Sequence, residues 1–152
     1  MHDEAFRVAE LSLQGFTCSH IMVTMGLDAQ GRRSPELLRA MSGLAQGMGC
    51  GMTCGVLSGG CCLLGLYAGK GGRDEDAHPS LPLMLEEFSE WFRDECQPKY
   101  GGINCADITL NDPRLKVERC PDLTLAAVRK VFEILEVNDF ALDTPHTDTD
   151  VD

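Results

Sequence analysis

Residues 47–62 read GMGCGMTCGVLSGGCC, with six glycines and four cysteines in one short stretch. No other feature restricts the fold as strongly. A glycine inside a helix costs about 1 kcal/mol relative to alanine and brings no side chain to a core. Glycine used this densely must be compensated by close backbone packing, by a bound group, or by both. Gly43, Gly47, Gly51, Gly55 and Gly59 recur at every fourth residue, which on a helix makes one smooth face. The whole stretch is too glycine-rich to be a single helix. The sequence predicts that one helix ends within Gly47–Gly51 and that another starts near Thr53 and runs through Gly69. Gly55 and Gly59 then lie on a packed face, against another helix of this chain or of a second copy in a homodimer.

The remaining pattern is helical. Residues 4–14 carry Phe6, Val8, Ala9, Leu11 and Leu13 among charges, and 17–26 place Cys18, Ile21, Met22 and Met25 on one face, with Thr17 as a cap. Ser34-Pro35-Glu36 is a helix start, and Leu37, Leu38, Met41, Leu44, Ala45 and Met48 continue it as an apolar stripe. KGGRDEDAHPS, residues 70–80, reads as a loop. A helix follows from Ser80 or Leu81 to about Cys96, with Leu81, Leu85, Phe88 and Phe92 on one side. Residues 97–121 look irregular, apart from a short helix at Cys105–Leu110. A last helix runs from Asp122 or Thr124 to Val137. The expected fold is all-α: a compact bundle of about five or six helices, with a long irregular cysteine-containing segment before the last one. Residues 1–140 form one helical domain, and 141–152 a disordered acidic tail.

Composition narrows the function. Of 152 residues, 43% are hydrophobic but only 6% aromatic, so the core is built from Leu, Met, Val, Ile and Cys. The formal charge of −11 gives no basic footprint for nucleic acid. The N-terminus lacks the basic and apolar segments of a secretory signal, and no run reaches the roughly 18 apolar residues of a membrane helix. The expectation is a cytoplasmic protein, where eight cysteines mean burial, a metal or redox chemistry before a disulfide framework. No CxxC pair, phosphate-binding loop or nucleophilic triad is present. The methionines read as soft core, Glu86, Glu87, Glu90, Asp94 and Glu95 as the wet face of a helix, and His20, two residues after Cys18, as a solvated or hydrogen-bonded surface residue before a ligand or proton partner. His2, His78 and His146 fall in expected loops or tails.

Among the cysteines, Cys54 falls at a helix start, where unpaired N–H groups and the helix dipole stabilise a thiolate. Cys50 lies four residues earlier, within reach if the turn is helical. Cys61 is about 10 Å further along the axis, too far to share a small cluster, and Cys62 points elsewhere, so both read as core residues, as does Cys96. Cys18, Cys105 and Cys120 each sit at an expected loop–helix junction.

The order Gly15-Phe16-Thr17-Cys18, then GMGCGMTCGVLSGG, then GGINCADI, then Cys120-Pro121 resembles the redox-active protein family named for its C_GCAxxG_C_C cysteine pattern. The motif here is Cys54-Gly55-Val56-Leu57-Ser58-Gly59, with Val56 in place of the usual Ala. The resemblance covers about residues 4–137. It implies a helical domain with four key cysteines, Cys18, Cys54, Cys105 and Cys120, and an association with iron–sulfur clusters seen in a related domain of split-Soret cytochromes. Cys50 is extra to the pattern and is the one that could join the site. Three functions stay open: a small electron-transfer protein in which these cysteines bind an iron–sulfur cluster, or zinc; metal-free thiol–disulfide chemistry, with Cys54 attacking and Cys18, Cys50 or Cys105 resolving; and a structural or binding homodimer whose cysteines merely pack. The first two imply a redox partner protein.

Overall fold

The structure, a computed structural model, describes residues 3–145. Seven α-helices account for most of them: α1 (Glu4–Leu13), α2 (Cys18–Ala29), α3 (Pro35–Met41), α4 (Gly55–Ala68), α5 (Leu81–Tyr100), α6 (Cys105–Thr109) and α7 (Pro113–Val137). Among the described residues there is no strand, and Thr53 and Asn104 form an isolated antiparallel bridge. The chain is all-α as expected, with seven helices rather than five or six.

The Ser34 signal works as read: its hydroxyl accepts the Leu37 N–H at 3.3 Å, and Pro35 occupies the first helical position. That helix nevertheless stops at Met41, short of the apolar stripe, and one 3-10 turn (Ser42–Leu44) follows. The chain then enters the turn Gly47–Gly51, where Gln46, Gly47, Met48, Gly49 and Gly51 all have φ between +55° and +75°. Such a run of left-handed residues is tolerable mainly because three of them are glycine. It ends in the short extended stretch that leads to α4.

Residues 97–121 are not irregular. Helix α5 continues through Pro98 to Tyr100, and α7 begins at Pro113, with the Asp112 carboxylate accepting the Arg114 N–H at 2.9 Å. Pro121 lies inside α7, where it deprives the Val117 carbonyl of its intrahelical donor without ending the helix.

One hydrophobic cluster joins the layers: Val8 and Leu11 of α1, Ile21, Met22 and Met25 of α2, Leu63, Leu64 and Tyr67 of α4, Phe88 and Phe92 of α5, and Val128, Val131 and Leu135 of α7. Cys96 is fully buried within it, as expected. Cys61 packs against the core but is half-buried, and so is Cys62, so neither is the interior residue foreseen. Phe6 and Leu13 face solvent despite their spacing. Arg7 bonds Asp28 at 2.7 Å and Arg129 bonds Glu4 at 3.1 Å, fastening α1 to α2 and α7 at the exposed edge, where each pair contributes about 0–1 kcal/mol.

The glycine face of α4 is used within the chain. A Cβ on Gly59 would stand 3.0 Å from the Ser19 Cα and 3.2 Å from the Met22 Cβ, and one on Gly55 would stand 2.9 Å from the Cys18 sulfur. Helix α2 of the same chain therefore packs on Gly55 and Gly59, the within-chain packing that was one of the two the ladder allowed. Residues 141–145 are not all loose tail: the Tyr67 hydroxyl donates to the Leu142 carbonyl at 2.6 Å, and Phe140 and Leu142 pack on the core. The rest of the expected tail, 146–152 with His146, and likewise His2, lies outside the described residues.

Candidate functional site

Local sequence explains why four distant cysteines face one another. Helix α2 starts at Cys18 because the Thr17 backbone N–H donates to His20 Nδ1 at 3.1 Å and the Thr17 hydroxyl meets the same nitrogen at 2.8 Å. With Nδ1 accepting, the neutral ring carries its proton on Nε2, which donates to the Ser42 hydroxyl at 2.8 Å. Burial lowers the His20 pKa and favours this neutral form. His20 is a hydrogen-bonded cap, as one of its two sequence readings had it.

Cys54 and Cys105 are brought together by their backbones. The Cys54 N–H donates to the Ile103 carbonyl at 3.1 Å, and the Cys105 N–H to the Met52 carbonyl at 2.6 Å, on either side of the Thr53–Asn104 bridge. Gly101, with φ of +79°, ends α5, and Gly102 leaves room for the Asp107 carboxylate that reaches back to the Asn104 N–H at 3.1 Å and starts α6 at Cys105. The glycines of GGINC thus turn the chain and seat the cap. Cys120 comes from α7, one turn after Lys116.

Cys18, Cys54, Cys105 and Cys120 line one cavity of about 350 Å³, together with Leu13, Phe16, Ile21, Ile108, Val117 and Lys116. Leu13 and Val117 are largely solvent-exposed, so the cavity reaches the surface. Cys18 is the first residue of α2, Cys105 the first of α6 and Cys54 the N-cap of α4, so three of the four stand at helix starts. Cys120 does not: it lies well inside α7, contrary to the junction expected. All four thiols are free.

The electrostatics are uneven. The Cys54 thiol hydrogen-bonds the Cys18 sulfur, and this bond is the main cause that lowers the Cys18 pKa. Burial opposes it, while the N–H groups of Ser19 and Cys18 and the charge of Lys116 assist. The same bond, then burial, raises Cys54 far above the ordinary thiol range. Of the pair, Cys18 is thus the one that ionises more readily and Cys54 the one that holds its proton. This reverses the expectation of a low-pKa Cys54. Burial, with the neighbouring Cys18 and Cys105, pushes Cys120 up to about 11. Lys116 was not singled out in the sequence; its signal was the spacing of four from Cys120, visible only once α7 is extended back to Pro113.

Cys50 does not join the inner cavity. It is exposed, its thiol donates to the Met48 carbonyl at 3.3 Å, and it lines a second cavity of about 460 Å³ on the other side of Cys105. Among the described residues no group of three or more His, Cys, Asp or Glu side chains is placed to hold a metal ion. The four thiols line a cavity rather than converge on a point. Among the described residues no helix is long and apolar enough to cross a membrane.

A protein-family model described as "Putative redox-active protein (C_GCAxxG_C_C)" matches residues 16–134, most of the chain, and the chain belongs to this family. No curated protein and no solved structure matches it.

Proposed function

We propose that this member of the C_GCAxxG_C_C family is a small electron-transfer module whose Cys18, Cys54, Cys105 and Cys120 hold an iron–sulfur cluster in the cavity they line. The observation that carries this reading is the convergence of four cysteines from four separate segments on one largely apolar cavity. Two thiols suffice for disulfide exchange, whereas four thiolates around a space of this kind suit a polynuclear cluster better than a single ion. When bound, a cluster supplies one-electron chemistry at a potential set by its surroundings. The chain's own part is to offer N–H groups and positive charge to sulfur where water is scarce. The N–H groups of Cys18 and Ser19 point at the Cys18 sulfur, the Val56 N–H at Cys54, and Lys116 adds positive charge beside Cys18 and Cys120. Apolar walls limit solvent, and the opening beside Leu13 and Val117 gives a redox partner protein access. A reducing compartment such as the cytoplasm fits this chemistry.

Anaerobic purification or reconstitution with iron and sulfide tests the reading. The expected protein is coloured, contains iron and acid-labile sulfide, and loses both in Cys18→Ser and Cys120→Ser, whereas Cys96→Ser keeps them. Folded protein that retains neither iron nor sulfide overturns it.

The hydrogen bond between Cys18 and Cys54 favours a second reading, metal-free dithiol chemistry. The Cys18 thiolate would attack a partner protein's disulfide and expel one thiolate. Cys54, after losing its proton, would displace the second, leaving a Cys18–Cys54 disulfide and a reduced partner. A chain mass that stays the same with and without reductant after exposure to a disulfide substrate removes this reading.

A further inference from the structure

We propose that Cys50 and Cys105 form a second thiol couple, on the outer side of the four-cysteine cavity, and that a low-molecular-weight disulfide oxidises it and so withdraws Cys105 from the inner set. The pairing stands on its own geometry; its consequence for the inner cavity rests on the cluster reading above.

Cys50 and Cys105 are the two cysteines that line the outer cavity, beside Asn111 and Lys116. Cys105, Thr109, Lys116 and Gln46 line both cavities, so Cys105 belongs to the wall between them. The two backbone segments already lie side by side. Thr53 bridges Asn104, Met52 accepts the Cys105 N–H, and a Cβ on Gly51 would meet the Ala106 Cβ at 3.1 Å. Gly51 and Ala106 directly follow Cys50 and Cys105 in the chain, so each cysteine is one residue from that shared contact and both face the same cavity. A disulfide needs Cα atoms roughly 4.4–6.8 Å apart. The turn can supply any adjustment: Gly49 and Gly51 flank Cys50 at φ of +71° and +75°, and a Cβ on Gly49 would meet nothing within 4 Å. Cys54 is a poor alternative partner for Cys50, because it is 4% exposed, hydrogen-bonded to Cys18 and absent from the outer cavity.

The exposed Cys50 reacts first. Its thiolate attacks one sulfur of the small disulfide, forms a mixed disulfide and releases one small thiolate. The Cys105 thiolate then attacks the Cys50 sulfur, forms the Cys50–Cys105 bond and releases the second small thiolate. Two protons and two electrons pass from the protein's thiols to the small disulfide, which leaves as two thiols. With its sulfur in that bond, Cys105 is no longer a thiolate donor to the inner cavity.

The full metal-free chain, treated with glutathione disulfide, quenched with N-ethylmaleimide and mapped by tandem mass spectrometry without reduction, is expected to show Cys50 linked to Cys105. The link is expected to be absent from Cys50→Ser. In Cys105→Ser, Cys50 is expected to stop as a lasting glutathione adduct. A lasting adduct on Cys50 in the unmutated chain, or Cys105 linked instead to Cys18, Cys54 or Cys120, overturns the pairing. Iron uptake from ferrous salt and sulfide, under conditions that leave disulfides intact, then reads the consequence: the oxidised unmutated chain is expected to take up several-fold less iron than Cys50→Ser given the same treatment. Equal uptake overturns the withdrawal of Cys105. If neither protein takes up iron even when fully reduced, the cluster reading fails, and the mapping still decides the pairing.

Discussion

Replacing Gly59 by alanine weighs two opposed effects that the structure separates. Within α4 the substitution gains about 0.5–1 kcal/mol of helix propensity. The new Cβ, however, stands 3.0 Å from the Ser19 Cα, 3.2 Å from the Ser19 carbonyl oxygen and 3.2 Å from the Met22 Cβ. These are backbone and near-backbone atoms of α2 and cannot swing aside as a long side chain would. Nor can α2 easily retreat, because the buried Ser19 hydroxyl donates to the Met41 carbonyl at 2.9 Å and His20 bonds Ser42 at 2.8 Å. Overpacking of this kind costs about 1–3 kcal/mol, so the net expectation is a loss of about 1 kcal/mol. Gly65 is the internal control: it lies in the same helix and its Cβ would meet nothing within 4 Å. Gly65→Ala is therefore expected to add about 0.5–1 kcal/mol. At roughly 2–4 °C per kcal/mol for a chain of this size, thermal unfolding followed by far-UV circular dichroism should show Gly59→Ala below the parent protein and Gly65→Ala above it. If Gly59→Ala stabilises the protein as much as Gly65→Ala does, the close approach of α2 to the motif glycines is wrong.

Other outcomes follow from the site and its supports. Cys54→Ala removes the bond that mainly lowers the Cys18 pKa, so the pH dependence of Cys18 alkylation by iodoacetamide should move upward, and Lys116→Gln should move it in the same direction. For His20, burial makes the folded pKa lower than the unfolded one, so the unfolded chain binds the extra proton; its contribution to stability is complete above about pH 6.5 and is lost as pH falls. His20→Gln keeps a capping acceptor that does not titrate, so urea midpoints should fall less steeply below about pH 6.5 than in the parent protein. Tyr67→Phe deletes the donor to Leu142 and should cost about 1 kcal/mol in urea unfolding, with the thiol chemistry unchanged.

What the sequence disclosed depended on how local the cause was. Ser34-Pro35 announced α3, and the loop at 70–80 and the short helix from Cys105 were equally local. Asp112-Pro113 carries the same kind of start signal, yet α7 was expected to begin only near Asp122. Pro121 and the charged run around Arg114, Lys116, Glu118 and Arg119 hid the apolar period, and the helix persists through the proline because its apolar face from Leu123 to Leu135 is packed in the core after it, while Arg119 bonds the Ile108 carbonyl at 2.8 Å before it. Conversely, the apolar stripe from Leu37 to Met48 kept helical spacing past the point where left-handed Gln46 and its neighbours end the helix. The order and glycine context of the four cysteines picked out residues that line one cavity. The opposed shifts of Cys18 and Cys54 did not follow from them, because they depend on how closely α2 approaches α4. Gly55 and Gly59 were the trace of that approach: glycine there lets Cys18 and Ser19 in.

The placement of Cys120 inside α7 bears on how the protein is made. Translation runs from the N-terminus, so Cys18, Cys54 and Cys105 leave the ribosome before the helix that carries the fourth thiol is finished. That helix also brings Lys116 and packs against the core through Val128, Val131 and Leu135. Without α7 the cavity lacks the wall made by Lys116, Val117, Cys120 and Thr124. Any group that requires all four sulfurs can be inserted only into a nearly complete, folded polypeptide.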